Sequence, residues 1–289
     1  MDRRIRRYIR AKQKLIKLLE EQKQAIIQRA VTRGLDPNVR LKPSGVEWLS
    51  DVPEHWEVRR NGRLFAQRNE TRFADLPILE VSLRTGVRIR GFENSDRKQV
   101  MSDRDKYKRA IAGDITYNMM RMWQGAVGVA PTDGLISPAY VVAKPLPGTE
   151  SRYFIRLFRT AVYMTEIDKY SRGIVKDRNR LYWEDFKRMP SCYPPPHEQV
   201  MIADAMDHAC EDFDTTVERV RGEIALLREY RTRVIADVVS GRLDVREATA
   251  RRRNEVDELE PLDDAEADKE IDADAVAQEA DGIPEDAEA

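Results

Sequence analysis

Cysteine is nearly absent: the 289 residues contain two, Cys192 and Cys210, which excludes a disulfide framework and suits a reducing, cytoplasmic setting. Long apolar runs are missing as well. No stretch approaches the ~18 apolar residues of a membrane-spanning helix, and the arginine-rich start has no apolar segment of the kind a secretory signal carries. Histidine is scarce, with His55, His197 and His208 dispersed; with the two cysteines they lack the paired spacing of a zinc site, so no metal is expected. There is no GxxxxGK[ST] phosphate loop, no GxGxxG opening a helix, no HExxH and no GxSxG. The prolines of Tyr193–Pro196 are not preceded by the Asn or Asp with which an amino-methyltransferase holds its target amine. Nothing marks a catalytic centre, and this chain by itself is expected not to be an enzyme.

The near-zero net charge of −1 conceals two opposite halves. Residues 254–289 hold sixteen acids and one lysine, a net of −15, so residues 1–253 carry a net of +14. A basic body of this size points to a polyanionic partner, most often nucleic acid, whose phosphates reward Lys and Arg through counterion release. The acidic segment has no aromatics and too few apolar residues to bury a core, so residues 247–289 are expected to be disordered.

One stretch occurs twice. Sliding residue 16 onto residue 224 aligns, without a gap, Ile16 with Ile224, Leu18 with Leu226, Leu19 with Leu227, Glu21 with Glu229, Ile27 with Ile235, Val31 with Val239, Leu35 with Leu243 and Asp36 with Asp244. An offset of 208 is far beyond the ~20–50-residue period of a solenoid; one structural part is used twice. That part reads as a helix. Met206, Cys210, Phe213, Val217, Val220, Ile224 and Leu227 advance by fours and threes, with Val234 and Val238 beyond Arg231, the a/d pattern that keeps a stripe against a partner helix. Pro194–Pro196 precede it, with Glu198 in the first turn, and Gly241 follows as a left-handed cap. The first copy has a broader stripe, Ile5, Tyr8, Ile9, Leu15, Ile16, Leu19, Ile26 and Ile27, interrupted by Gln22 and ending at Gly34 and Pro37. Leu15, Leu19 and Ile26 of the first copy are expected to form the helix interface with Met206, Phe213, Val217, Val220, Ile224, Leu227 and Val234 of the second.

Between the helices, β-like runs appear at residues 76–82, 87–91, 113–118, 126–130 and 139–143, separated by Gly, Pro and Asp turn signals. A helical stretch around Tyr153–Tyr170 interrupts them. The fold class is therefore a mixed α/β domain flanked by two long, coiled-coil-like helices. Its boundaries read as 1–36 for the first helix, 37–55 for a connector, 56–192 for the globular domain, 193–246 for the distal helix and 247–289 for the acidic tail. Three loop clusters in the domain suit DNA contact. Arg84, Thr85, Arg88 and Arg90 lie in a predicted hairpin, while Asn118, Arg121, Trp123 and Gln124 leave a strand toward Gly125. Arg172, Lys176, Arg178 and Arg180 surround Gly173. Arg and Gln reach base edges or phosphates, and an aromatic ring can stack or wedge; Trp123 fits a core position equally well.

Four blocks, LLEEQKQAIIQRAVTRGLDP (18–37), SGVEWLSDVPEHWEV (44–58), GDITYNMMRMWQGAVGV with GLISPAY (113–140), and SRGIVKDRNRLYWEDFKRMP with PPPHEQ (171–199), resemble the specificity subunits of type I restriction-modification systems over residues 5–246. The resemblance implies a target recognition domain at 56–192 and two helices that pack antiparallel and serve as spacer and docking site. It implies a non-catalytic DNA-binding subunit acting in host defence and DNA methylation. Double-stranded DNA, methyltransferase subunits and restriction subunits are the implied partners. S-adenosylmethionine, ATP and Mg2+ would be used by those partner subunits, with no cofactor bound by this chain.

Members of that family usually carry two recognition domains, whereas this sequence has one and begins inside the first helical region, so a half-subunit is expected. Self-association would rebuild a two-domain reader of an interrupted palindrome; a second half-subunit would complete an asymmetric one. A helix of about 40 residues spans roughly 60 Å, a little under two turns of B-DNA. The alternatives are a truncated or orphan half-subunit that acts only as a coiled-coil assembly module, and a self-contained modification enzyme with a cofactor pocket.

Overall fold

The computed structural model describes residues 2–90, 104–173 and 179–242. In chain order the elements are α1 (Asp2–Arg33), β1 (Leu41–Pro43), β2 (Asp51–Pro53), β3 (Glu57–Arg60), β4 (Phe65–Arg68), β5 (Leu79–Ser82), β6 (Gly86–Ile89), β7 (Lys108–Ala110), β8 (Ile115–Asn118), β9 (Val127–Val129), β10 (Gly134–Ile136), β11 (Tyr140–Pro145), α2 (Ser151–Phe158), α3 (Ala161–Tyr170), α4 (Trp183–Phe186), β12 (Pro190–Tyr193) and α5 (Pro196–Val239). The acidic tail and the repeat partners Leu243 and Asp244 lie outside the described residues. Among the described residues the chain divides into two units, residues 2–23 with 210–242, and residues 24–209.

The first unit pairs the two copies of the repeat. Ile5 and Ile9 of α1 form one apolar cluster with Val220 and Ile224 of α5, and Ile16 and Leu227 pack against it. Lys12 pairs with Glu223, and Lys23 with Asp214 at 2.6 Å. Partner numbers fall along α5 as they rise along α1, so the helices run antiparallel. The α5 stripe follows the expected fours and threes: Met206, Cys210, Val217, Val220 and Ile224 are buried, with Phe213, Leu227 and Val234 half-buried.

The α1 stripe departs from expectation. Positions 5, 9, 12, 16, 19, 23, 26 and 30 are all buried or half-buried, an alternation of four and three whose third and sixth members are Lys12 and Lys23; Ile27 and Val31, beside its end, are buried as well. Leu15, an expected interface residue, is 43% exposed, and Tyr8 is 63% exposed; both stand one residue before the seam, about 100° around the helix. Lysine occupies the seam because its methylene stem packs against apolar neighbours while its ammonium reaches a carboxylate at the edge. Leu19 and Ile26 do fall on the stripe.

The second unit is built on an antiparallel sheet in the order β4-β11-β8-β9. The register sets Val142 opposite Arg68 and Thr116, and Tyr117 opposite Val127. The remaining strands form the two-stranded pairs β1-β2, β3-β12, β5-β6 and β7-β10; β1 and β2 occupy the expected connector. Six aromatic side chains form one core. Phe65, Phe154, Phe158, Tyr163, Phe186 and Tyr117 are fully buried, with ring centroids 5.3 Å apart for Phe65 and Phe154, 4.9 Å for Phe158 and Tyr163, and 5.1 Å for Tyr117 and Phe186. Each such pair adds about 0.5–1.5 kcal/mol beyond its area burial.

The single helix expected around 153–170 is two helices. Thr160 separates them: its amide donates to Leu157 O, closing α2, and its Oγ1 accepts from Tyr163 N, capping α3. The strand expected from residue 113 starts at Ile115, because Gly113 (φ +91°) and Asp114 form a turn. Asp114 Oδ2 there accepts from Ile111 N and from Arg68 Nε at 2.7 Å.

Candidate nucleic-acid interface

Local turn chemistry shapes each of the three basic loops. In the β5-β6 hairpin, Ser82 Oγ accepts from the amides of Arg84 and Thr85. Gly86 (φ +75°) sits where an added Cβ would meet Gly128 of β9 at 3.5 Å. Arg84 and Thr85 are thereby left exposed at the tip. Arg88 is exposed and bonds Glu80, its cross-strand partner, at 2.6 Å; an exposed pair of this kind contributes at most about 1 kcal/mol and can be exchanged for a phosphate. Arg90 is half-buried, and its amide donates to Ile78 O.

The second loop leaves β8 through a tight turn. Asn118, read from the sequence as a DNA contact, is buried, and its Oδ1 accepts from Met120 N at 2.8 Å. Its side chain shapes the turn rather than facing solvent. Trp123 is half-buried with its indole N–H on Met120 O at 3.0 Å, so it braces the same turn. Arg121 is half-buried and Gln124 exposed. Gly125 closes the loop in the left-handed region (φ +93°).

The third loop is pinned at its base. Arg172 and Arg180 exchange backbone hydrogen bonds of 3.0 and 2.9 Å, and both side chains are exposed. Arg172 also pairs with the buried carboxylate of Asp185. Lys176 and Arg178 lie outside the described residues.

Two ties bring these loops together. Leu181 N donates to Met119 O at 2.9 Å, joining the base of the third loop to the second. Arg159, at the end of α2, donates from Nη2 to Leu83 O and Arg84 O in the hairpin tip. Its Nε lies 3.8 Å from the position of a Cβ at Gly125, so one guanidinium braces the first loop against the second. Burial lowers its pKa, and repulsion from Arg156 adds to the effect; at neutral pH an arginine remains charged all the same. Arg159 is absent from the sequence reading because its partners are backbone carbonyls some 75 residues away, which leave no local pattern.

The helix pair offers a surface of another kind. Glu20 and Arg221 each follow a seam position and pair at 3.5 Å, marking one edge. Tyr8, Leu15 and Tyr230 each precede a seam position, so they line the opposite edge, with Leu18 and Leu226 beside them. All five are exposed, and large apolar groups left on one edge of a helix pair make that edge a candidate association surface.

No protein-family model and no curated protein sequence matches the chain. Solved structures do. A chain from a structural study of complex assembly and conformational transition of the type I R-M system superposes with a TM-score of 0.54 at 15% identity, over 81% of this chain and 55% of that one. The chain shares its fold with a type I restriction-modification protein. Similarity extends to the HsdS subunit from Thermoanaerobacter tengcongensis (TM-score 0.49, 16% identity, 84% and 56% covered) and to the type I restriction-modification system S subunit from M. genitalium (TM-score 0.43, 10% identity, 80% and 56% covered). The chain spans little more than half the length of each.

Proposed function

We propose that this chain is the sequence-reading subunit of a type I restriction-modification assembly, a non-catalytic protein that binds duplex DNA and holds methyltransferase and restriction subunits on it. The observation that carries this reading is the joining of three basic loops through Arg159 and through the Met119–Leu181 hydrogen bond, on a fold shared with a type I chain. Arg84, Thr85, Arg121 and Gln124 would read bases or their edges, and Arg88, Arg90, Arg172 and Arg180, with Lys176 and Arg178, would hold phosphates. Residues 56–192 would be the recognition domain.

Methyl transfer from S-adenosylmethionine and ATP- and Mg2+-dependent cleavage would belong to the partner subunits. The exposed Tyr8, Leu15, Leu18, Leu226 and Tyr230 support docking of further helices on the helix pair. A second copy or another half-subunit would supply the second half-site of a bipartite target. A cytoplasmic setting accords with that role, and among the described residues no helix is long and apolar enough to cross a membrane.

The test is titration of a fluorescent random-sequence duplex with the full chain at several salt concentrations. Binding that weakens steeply with salt is expected, alongside silence toward S-adenosylmethionine. Salt-independent or absent DNA binding would contradict the assignment.

A further inference from the structure

Apart from the three loops, the second unit contains an open cleft of about 650 Å³ lined by Val58, Arg59, Arg60, Gly62, Arg63, Lys187 and Arg188. Five of these seven residues are cationic and none is acidic. Its walls come from the pairing of β3 with β12, which sets Arg60 opposite Pro190, and from a 3-10 turn at Asn61–Arg63. Asn61 N donates to Met189 O and Gly62 N to Lys187 O, each at 2.9 Å. A Cβ at residue 62 would come within 3.1 Å of Lys187 Cβ and 3.2 Å of Lys187 O. The missing side chain is what lets the two backbones close and gathers arginines from both walls.

The charges divide into two kinds. Arg59 bonds Glu57 at 2.7 Å and lies 3.7 Å over the Tyr193 ring, and Lys187 bonds Glu184 at 2.6 Å. Arg60, Arg63 and Arg188 are exposed and have no carboxylate partner among the described residues. Elsewhere in this unit Arg68, Arg88, Arg109, Arg152, Arg156 and Arg172 each hold a carboxylate. Three like charges gathered around one cleft and left unneutralised make a site for an anion with more than one charged oxygen, and the guanidinium fork matches phosphate bidentately.

We propose that this cleft is a second DNA-contact surface, which grips the sugar–phosphate backbone of duplex DNA through Arg60, Arg63 and Arg188 and reads no bases. The inference rests on the DNA-binding reading above and adds to it a phosphate clamp separate from the three loops. An open cleft suits a continuous polyanion, which enters and leaves along its length, better than a small enclosed anion.

The experiment compares the full wild-type chain with an Arg60→Gln, Arg63→Gln, Arg188→Gln triple variant on a random-sequence duplex, plotting the logarithm of affinity against that of salt. Each phosphate contact contributes about −0.9 to the slope. The triple variant should therefore flatten the slope by roughly 2 to 3 and weaken binding at least tenfold at low salt, equally for every sequence. The matching triple lysine variant should keep the wild-type slope. If the glutamine triple fails to fold, as judged by circular dichroism, Arg63→Gln alone should flatten the slope by about 0.9. A wild-type slope in the folded variants overturns the clamp while leaving the loops as DNA readers, and leaves the cleft to an acidic polypeptide such as residues 254–289. A wild-type chain that binds no DNA overturns the functional reading itself.

Discussion

The indole N–H of Trp56 donates to Oε2 of Glu198 at 3.0 Å, across 142 residues of sequence. The same oxygen meets His55 Nε2 at 2.8 Å, and Gly34, the left-handed cap of α1, presses against both partners: a Cβ there would lie 3.2 Å from Glu198 Oε1 and 3.4 Å from the Trp56 ring. The next residue, Gln199, is fully buried, donating to Pro194 O and Gly148 O and accepting from Glu150 N. Residues from three of the four sequence blocks that carried the family resemblance meet at this joint, so those blocks describe how the second unit is fastened.

Breaking the joint should be costly. Trp56→Phe leaves the Glu198 carboxylate short of a donor, and a hydrogen bond to a charged group is worth about 1.5–3 kcal/mol. Urea denaturation should show a loss of that size. A change below about 0.5 kcal/mol would mean that the bond is replaced by solvent.

Two buried phenols should respond in opposite ways. Tyr163 OH accepts from Asn61 Nδ2 at 2.8 Å and lies 3.0 Å from Ser191 Oγ, whereas the Tyr117 hydroxyl has no hydrogen-bond partner among the described residues. Tyr163→Phe strands the buried Asn61 amide, while Ser191 Oγ keeps its bond to Asn61 Oδ1, and should cost about 1–3 kcal/mol, whereas Tyr117→Phe removes an unsatisfied hydroxyl and should be neutral or stabilising. Thermal melts of both variants decide the matter; equal losses would refute it.

Stability should fall at alkaline pH. Burial raises the Cys192 thiol to about 12 from an ordinary 9.0, and it raises Tyr117, Tyr153 and Tyr163 above their ordinary 10.0. Between those ordinary values and the raised ones the unfolded chain has lost protons that the folded chain keeps, so the unfolding free energy decreases as pH rises. The contribution is intact below pH 9. Urea midpoints should therefore drop between pH 9 and 11, and constant midpoints would show that these groups are not shielded.

The helix pair separates seam from edge. Val220→Glu with Leu227→Glu should destroy the pairing of α1 and α5. Leu15→Glu should leave folding within about 0.5 kcal/mol of wild type but abolish association with methyltransferase subunits or a second copy. Circular dichroism with co-purification distinguishes the two effects, and an unfolded Leu15 variant would return that residue to the seam.

Arg121→Ala and Gln124→Ala should relax site preference while leaving assembly intact. Arg159→Ala should act indirectly, by freeing the β5-β6 tip from α2 and so weakening recognition without removing a DNA contact. Selection of bound sequences from a random pool checks all three, and unchanged preference in all of them would remove the second loop from the interface.

The α5 stripe was legible because Met206, Cys210, Val217, Val220 and Ile224 are apolar and keep strict steps, and a period of 3.5 admits one reading. The α1 stripe was misread where lysine stands in the seam. A search for apolar residues passes over Lys12 and Lys23 and substitutes Leu15 and Tyr8, which lie on the edge. The principal strands β8, β9 and β11 announce themselves as short buried runs between glycines and prolines. Three-residue strands such as the exposed β1 and the fully buried β10 form only because tertiary partners select them. The basic loops were visible as composition, yet composition does not separate the buried Asn118 from the exposed Gln124. Arg60, Arg63 and Arg188 escaped because their cleft is assembled from segments some 125 residues apart.

The most direct measurement is a base-resolution methylation map of DNA from cells expressing this chain with its cognate methyltransferase subunit, set against the methyltransferase alone. A sequence-specific reader should add a new bipartite methylated site, an interrupted palindrome if two copies assemble and an asymmetric one if another half-subunit takes part. Identical maps with and without the chain would contradict its proposed role as the subunit that chooses the site.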